Sequence, residues 1–290
     1  MKLGLGTVQF GLDYGISNKK GQTSQDQVKE ILQLAEIKNT TLLDTSCAYG
    51  NSESIIGNYA SPNRFDIVTK TPVFKSNVIQ QLDAKELIRS FNDSLSNLQI
   101  NQVYGLLTHG PEDLLKPGGH YLFNAMKTLK TEGKVNKIGA SVYNKKQIKD
   151  LVDTFDIDLI QLPFNLLDQR LLHDGTFDFL KQHNIEIHVR SAFLQGLLFI
   201  PLNELPEFFH PIKPTLARLK QKLFSLNLSP AQAALAFINQ TPQIDKIICG
   251  VNTAEQLQEL TKAINTKIDY EEFYQFAINE LKFIDPSQWP

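Results

Sequence analysis

Residues 137–162 read KIGASVYNKKQIKDLVDTFDIDLIQL, and this stretch decides the fold. Its two ends, Lys137–Ser141 and Leu159–Leu162, are short apolar runs typical of strands that are covered on both faces. Between them, Asn144 with Gln147 three residues later is the signature of a helix start. The stretch therefore predicts a strand, a helix and a second strand parallel to the first.

The same alternation runs from one end of the chain to the other. The candidate strands, in chain order, are Lys2–Val8, Thr41–Asp44, Phe65–Lys70, Gln102–Thr108, Lys137–Ser141, Leu159–Leu162, Glu186–Arg190 and Lys246–Gly250. Apolar residues at helical spacing follow the candidate caps Ser24, Ser52, Asn144, Ser229 and Thr253, and also occur in Val78–Leu98 and Leu122–Leu129. Eight strand–helix units in 290 residues average about 36 residues each, which is typical of the α/β class and of the closed (β/α)8 TIM barrel.

No linker-like composition divides the chain, so we expect residues 1–290 to form one barrel domain. After the eighth unit, residues 265–290 are expected to add an extra helix over Tyr270–Phe283 and a loose tail. The main alternative is an open dinucleotide-binding sheet, which would carry Gly-x-Gly-x-x-Gly directly after its first strand. Here the Gly-x-Gly pair lies within that strand and the next glycine is Gly11, so the barrel is preferred.

Composition and charge argue against several classes of protein. The 29 basic and 31 acidic side chains give a net charge of −2, which offers no basic surface for nucleic acid. Two cysteines cannot form a disulfide framework, which favours the cytoplasm. The N-terminus shows no apolar signal region and no later apolar run reaches a membrane-spanning length, so no membrane association is expected. The scattered histidines lack the spacing of a metal site, and no metal is expected.

Four polar residues stand at or just after the ends of three consecutive candidate strands: Asp44, Tyr49, Lys70 and His109. Strand ends of this kind carry the reactive groups of (β/α)8 barrels, so the four should converge at one rim. Taken singly, each has an ordinary interpretation as a cap, a solvated cation or a packing ring. Together, a lysine held charged by an aspartate should lower the tyrosine pKa, and a histidine can bond a carbonyl oxygen. The set predicts a device for protonating a carbonyl group.

The chain also resembles the aldo-keto reductase superfamily. The resemblance is carried, in the order of the family, by Gly4–Thr7 (GLGT), Leu43–Glu53 (LDTSCAYGNSE), Val68–Lys70, Leu107–His109, Gly133–Ser141, Gln161, Ser191–Leu198 and Gly250–Gln256. It implies a barrel that reduces aldehydes or ketones with a nicotinamide cofactor, NADP(H) by default. It also implies that Tyr49 donates a proton to the carbonyl oxygen, that Lys70 and Asp44 tune it, and that His109 orients the substrate.

The resemblance implies a set of cofactor-binding positions along the same rim. They are Gly6, Thr7, Ser141, Gln161, Arg190, Ser191, Leu194, Gln195, Gly196, Gly250, Asn252, Thr253, Glu255 and Gln256. Ser141 and Gln161 match the positions that hold the nicotinamide carboxamide, and residues 191–196 match the pyrophosphate loop.

Two of these positions depart from the family pattern. Arg190 replaces the aromatic residue that stacks on the nicotinamide ring. A guanidinium can stack too, although it suits an oxidised, cationic ring poorly, and a pairing with a carboxylate at the barrel mouth is an equal alternative. The stretch after the eighth strand, residues 249–256, contains none of the basic residues that usually bind the 2′-phosphate of NADPH. NADH is therefore an alternative cofactor.

The substrate is expected to be a small carbonyl compound, held by Gln9, Phe10, Tyr14, Phe74 and Phe193, with Cys47 and the tail residue Trp289 as further candidates. The first loop resembles that of bacterial members from surface-polysaccharide or sugar-nucleotide pathways, which suggests a sugar-derived carbonyl. Two other functions stay open: a non-catalytic nucleotide-binding regulator, and a barrel lyase or epimerase that uses Tyr49 and Lys70 for proton transfer. The residues do not indicate an oligomeric state.

Overall fold

Eight parallel strands form a closed barrel in the computed structural model, which describes residues 1–61 and 64–290. Each strand pairs with the next in sequence, and β8 closes the barrel against β1 through the register Gly6↔Gly250. The strands are β1 Leu3–Gly6, β2 Leu42–Asp44, β3 Asp66–Lys70, β4 Val103–Thr108, β5 Val135–Ser141, β6 Leu159–Pro163, β7 Glu186–Arg190 and β8 Lys246–Gly250. The prediction of a (β/α)8 barrel is confirmed.

Helices cover the outside of the barrel and fill several of its loops. The α-helices are α1 Val8–Gly11, α2 Gln25–Ile37, α3 Ser52–Tyr59, α4 Gln81–Leu98, α5 His120–Thr131, α6 Lys145–Thr154, α7 Arg170–His173, α8 Thr176–Gln182, α9 Lys213–Ser225, α10 Pro230–Asn239, α11 Ala254–Ala263 and α12 Leu281–Ile284. Short 3-10 helices lie at Leu194–Phe199, Glu207–Ile212, Tyr270–Phe276 and Pro286–Gln288. No helix of the described residues is both long and apolar enough to cross a membrane.

Most of the predicted helix starts follow from side-chain caps. The oxygens of Ser24, Asn144, Ser229 and Thr253 each accept a hydrogen bond from the backbone N–H three residues later, which satisfies a donor that the helix itself cannot pair. Ser52 does not cap α3 as expected. It is the first helical residue, and its hydroxyl donates to the carbonyl oxygen of Thr7 at 2.9 Å.

The barrel interior is filled by apolar side chains. Leu42, Val68, Leu107, Leu159 and Ile248 form a cluster inside the cylinder, separate from the larger core between strands and helices. Because the interior is packed, the polar side chains at the C-terminal strand ends face an opening only above this layer.

The C-terminal segment is not one helix over Tyr270–Phe283, as predicted, but a series of short turns. The reason is tertiary: the backbone N–H of Ile278 donates to the carbonyl oxygen of Leu167 at 2.8 Å instead of to a helical partner. This bond ties the segment to the loop after β6. Farther along the segment, Pro286 and Ser287 lie at the edge of the cleft described below.

Candidate active site

A cleft of about 960 Å³ opens at the C-terminal ends of the strands. Its walls come mainly from the loops after β1, β7 and β8, and its floor from polar side chains at the strand ends. Asp44, Tyr49, Lys70 and His109 all line it, so the topology brings together the four residues that the sequence placed on three separate units.

An ion pair forms the floor beneath Tyr49. Lys70 Nζ lies 2.8 Å from each carboxylate oxygen of Asp44 and donates to the carbonyl oxygen of Thr45 at 2.9 Å. The side chains are 1% and 7% exposed, so water hardly screens the pair. The same ammonium lies 5.1 Å from the centroid of the Tyr49 ring.

Burial controls the acidity of this cluster. Burial disfavours a charged Lys70, but Asp44 and Tyr49 outweigh that effect and raise its pKa above the ordinary value. Burial also raises the pKa of Tyr49, and the opposing influence of Lys70 does not cancel it. The expectation of an unusually acidic phenol is therefore wrong, because the loss of water outweighs the nearby cation.

His109 stands beside the tyrosine as a neutral ring. The two ring centroids are 5.8 Å apart with an interplanar angle of 86°. Burial, reinforced by Lys70, lowers the pKa of His109 to about 4, so its imidazole is uncharged near neutral pH. The Ser46 hydroxyl lies 3.2 Å from Nδ1, which leaves Nε2 for a ligand.

A chain of polar contacts links the ion pair to the other side of the barrel. Gln161 Nε2 donates to Asp44 Oδ1 at 2.7 Å, and the Ser141 hydroxyl donates to Gln161 Oε1 at 3.4 Å. Ser141 and Gln161 face each other in the register of β5 and β6. The positions that resemble carboxamide-binding residues thus lie beside the tetrad.

Arg190 pairs with no carboxylate of the described residues, contrary to one of its two predicted roles. Its guanidinium donates to Ser141 Oγ, Ser191 Oγ and the carbonyl oxygen of Val142 at 3.1–3.3 Å. The guanidinium carbon also lies 4.3 Å from the ring centroid of Tyr143, which lines the cleft. Sequence reasoning missed Tyr143, and its position two residues after the strand end at Ser141 was the available signal.

The loop after β7 has an unusual backbone. Ser191, Leu194 and Gln195 have φ values of 61°, 46° and 51°, and Gly196 has 92°. At Gly196 a Cβ atom would overlap the hydroxyl of Ser17 in the loop after β1. The two loops therefore meet above the cleft, and a glycine is needed at the contact.

Most of the predicted binding residues line the cleft. Among the cofactor positions these are Gly6, Thr7, Ser141, Gln161, Arg190, Ser191, Gln195, Gly196, Gly250, Asn252 and Gln256, and among the substrate positions Gln9, Tyr14 and Phe193.

Five predicted binding residues do not reach the cleft. Leu194, Phe10 and Phe74 are all buried in the core, because their apolar side chains turn inward. Thr253 is occupied in capping α11, and Glu255 faces the outer side of that helix. The tail reaches the cleft through Pro286 and Ser287 rather than Trp289, whose ring packs 4.9 Å from that of Phe209.

The donor set fits a dinucleotide. Gln9 Oε1 is buried at the cleft without a hydrogen-bond partner among the described residues, so it is free to accept from a ligand. A Cβ at Gly250 would collide with the same Gln9 amide, so the rim is narrow here and admits only backbone. Residues 191–193, 195, 196, 250 and 252 also line the cleft, where backbone groups can approach a pyrophosphate closely.

Comparison with known proteins identifies the class. The model of the Aldo/keto reductase family matches residues 2–279, and the chain belongs to that family. It is 24% identical to the aldo-keto reductase YhdN of Bacillus subtilis (strain 168), over 93% of this chain and 87% of that protein. It is 22% identical to the NADH-specific methylglyoxal reductase of Escherichia coli (strain K12), over 92% and 90%.

Solved structures share the fold. The holo form of aldo-keto reductase AKR11C1 from Bacillus halodurans superposes with a TM-score of 0.78 at 18% identity, covering 99% of this chain and 95% of that one. The glycerol dehydrogenase AKR11B4 from Gluconobacter oxydans gives 0.72 at 18% identity, covering 98% and 92%. The chain is thus an NAD(P)H-dependent oxidoreductase that acts on carbonyl compounds.

Proposed function

We propose that this enzyme reduces an aldehyde or ketone to an alcohol with Tyr49 as the general acid. The observation that carries the proposal is the buried Lys70–Asp44 ion pair beneath Tyr49, with neutral His109 beside it at the floor of the cleft. A bound nicotinamide cofactor supplies the hydride for this chemistry.

Each side chain of the site has a separate role in this reaction. A raised pKa keeps the Tyr49 phenol protonated near neutral pH, which a proton donor requires. As the proton leaves, the nearby Lys70 ammonium stabilises the phenolate, and Asp44 holds that ammonium in place. His109, uncharged, offers Nε2–H to the carbonyl oxygen when Ser46 donates to its Nδ1. Ser141 and Gln161 would hold the nicotinamide carboxamide beside this group.

The charges of the cleft favour NADH over the NADP(H) expected by default. Three basic side chains line the cleft in the described part of the chain, and two are already paired: Lys70 with Asp44, and Lys19 with Glu204 at 2.9 Å. At the start of α11 the backbone N–H of Asn252 donates to Gln256 Oε1, so it is not free for a phosphate. The carboxylate of Glu259 also lines this wall and would repel a 2′-phosphate.

We expect NADH to bind about tenfold more tightly than NADPH, which corresponds to about 1.4 kcal/mol, because the 2′-phosphate meets the Glu259 carboxylate and no unpaired lysine among the described residues of the cleft. Isothermal titration calorimetry with both reduced cofactors measures the ratio. Glu259→Gln should strengthen NADPH binding more than NADH binding. Tighter binding of NADPH by the wild-type protein would overturn the preference and leave the proposed reaction intact.

The substrate proposed is a polyhydroxylated, sugar-derived carbonyl compound. The side chains of Gln9, Tyr14 and Ser17 line the same cleft as the tetrad, and their amide and hydroxyl groups can bond to substrate hydroxyls. Phe193 supplies one apolar wall. Turnover of keto-sugars should therefore exceed that of simple aromatic aldehydes, and the reverse order would remove the sugar assignment.

The decisive experiment is a screen of carbonyl compounds with NADH and NADPH. Turnover is measured as the loss of absorbance of the reduced nicotinamide. Tyr49→Phe should reduce kcat by at least about a thousandfold while nucleotide binding persists, because general acid catalysis and orientation are lost together. Unchanged turnover in this variant would exclude Tyr49 as the donor. Substrate consumption with no absorbance change would point to a lyase or epimerase, and tight nucleotide binding with no turnover to a regulator.

A further inference from the structure

Three basic side chains line the cleft in the described residues, and Arg190 is the one that has neither a carboxylate partner nor a role in the proposed mechanism. No ion pair of the described residues includes it, and all three of its hydrogen-bond acceptors are neutral. The two other basic side chains along the cleft, Lys19 and Lys70, are each paired with a carboxylate. The charge of Arg190 is therefore uncompensated.

Hydrogen bonds from all three of its nitrogen atoms hold the Arg190 guanidinium in place. Its edge is held by Ser141 on β5, by Ser191 in the following loop and by the carbonyl oxygen of Val142. One face packs against the Tyr143 ring at 4.3 Å. Since Arg190 also lines the cleft, the opposite face is the surface it can present to a ligand.

This geometry suits a flat ring better than an anion. An anion binds a guanidinium in its plane through the N–H edge, and here most of that edge is already engaged by the protein. A planar ring needs only the open face, and guanidinium groups stack readily on such rings. The direct contact with Ser141 sets this face next to the position proposed for the nicotinamide carboxamide.

We propose that Arg190, backed by Tyr143, is the surface on which the nicotinamide ring stacks, and that its uncompensated charge makes the enzyme select the reduced cofactor over the oxidised one. The inference rests on the proposed function. The oxidised ring carries a positive charge and the reduced ring is neutral, so a fixed cation in contact repels only the oxidised form. The repulsion would promote release of the oxidised cofactor and favour carbonyl reduction over alcohol oxidation.

The influence of Arg190 reaches the reacting groups. Burial is the main cause of the lowered pKa of His109, and Arg190 acts in the same direction. Arg190 likewise opposes the raised pKa of Tyr49, which burial dominates. A charge that is felt at both side chains would be felt at a nicotinamide placed between them and Ser141.

Calorimetric titration with NAD+ and NADH, repeated with NADP+ and NADPH, tests the proposal without turnover. For the wild-type protein the dissociation constant of the oxidised form should exceed that of the reduced form by at least about tenfold. Arg190→Tyr keeps a flat surface without the charge, and should bring the ratio to within about threefold of one by strengthening binding of the oxidised form. Arg190→Lys keeps the charge without the plane, and should retain the ratio while weakening both forms.

A wild-type ratio near one, or a ratio unchanged in Arg190→Tyr, would overturn the inference while leaving the carbonyl reductase proposal standing. Binding of neither nucleotide to the wild-type protein would remove the proposed function and this inference with it. If Arg190→Tyr does not fold, as judged by circular dichroism, Arg190→Gln takes its place, because it removes the charge with a smaller side chain. The ratio of its dissociation constants for the oxidised and reduced cofactor should be the one expected for Arg190→Tyr.

Discussion

In the cleft, burial away from water shifts the pKa of His109 and of Tyr49 more than their charged neighbours do. His109 is the clearest case, because burial and then Lys70 both disfavour its cationic form and lower its pKa to about 4. Tyr49 shows the same effect with the opposite sign, since burial raises the pKa of a group whose charged form is an anion. One dry site thus supplies a neutral imidazole and a protonated phenol at the same pH.

The pH profile of turnover tests this view of His109. Because its pKa is lowered to about 4, the ring is neutral above that pH and gains a proton as the pH falls through it. We expect kcat/KM to show no histidine-dependent step between about pH 5 and 8 and to fall near pH 4, since an unperturbed histidine would titrate at about 6.5. The reference is the His109→Gln variant, which should lack the acidic step. A wild-type inflection near 6.5 that is absent from this variant would contradict the prediction.

At the scale of the elements, the contact between the loops after β1 and β7 shapes the cleft. Gly196 has a φ of 92°, and a side chain there would overlap Ser17. Gly133, in the turn before β5, has a φ of 74° but open space around it. Both glycines adopt a positive φ that strains other residues, but only Gly196 is closely packed. Gly133 is therefore a matched control for substitutions at Gly196.

Gly196→Ala should weaken nucleotide binding by about tenfold, because the loop must move away from Ser17 and lose its alignment along the cleft. Gly133→Ala should cost about 1–2 kcal/mol of backbone strain without changing nucleotide affinity. Calorimetric titration and urea unfolding measure the two effects. Restored affinity in a Ser17→Gly, Gly196→Ala double variant would tie the loss to this contact, and equal affinities in both single variants would disprove the loop argument.

At the scale of the whole molecule, the two ends of the barrel serve different purposes. The end opposite the cleft is closed by a polar cluster around Glu186, the first residue of β7. Its carboxylate accepts from Tyr104 at 2.7 Å, pairs with Lys137, and lies 2.6 Å from the buried His188 Nε2. Strands β4, β5 and β7 are thereby linked at the end of the barrel opposite the cleft.

Glu186 should make stability depend on pH. Burial alone would raise its pKa, but the bonds to His188, Lys137 and Tyr104 prevail and lower it from 4.5 to about 2. A lowered pKa means that the stabilisation is complete above about pH 4.5 and is lost as the pH falls towards 2.

Urea unfolding of the wild-type protein and of Glu186→Gln should reveal this contribution. At pH 7 the variant should lose about 1–3 kcal/mol, since it leaves buried donors without their ionised partner. The gap between the two proteins should narrow from pH 4.5 towards pH 2.5. A gap that stays constant over this range would show that the carboxylate does not titrate as described. Glu207→Gln, on the separate 3-10 helix Glu207–Ile212, is a surface control.

The sequence by itself determined the repeating strand–helix pattern, four of the helix caps and the gathering of Asp44, Tyr49, Lys70 and His109 at one rim. It could do so because alternation of apolar residues and capping are local, and because parallel strands in a barrel place all their C-terminal ends on one side. Only the tertiary structure decided the net effect on the pKa of Tyr49, because the depth of burial depends on loops that fold over the rim. The stacking of Arg190 on Tyr143, the contact of Ser17 with Gly196 and the broken C-terminal helix likewise depend on partners distant in sequence, which no local pattern specifies.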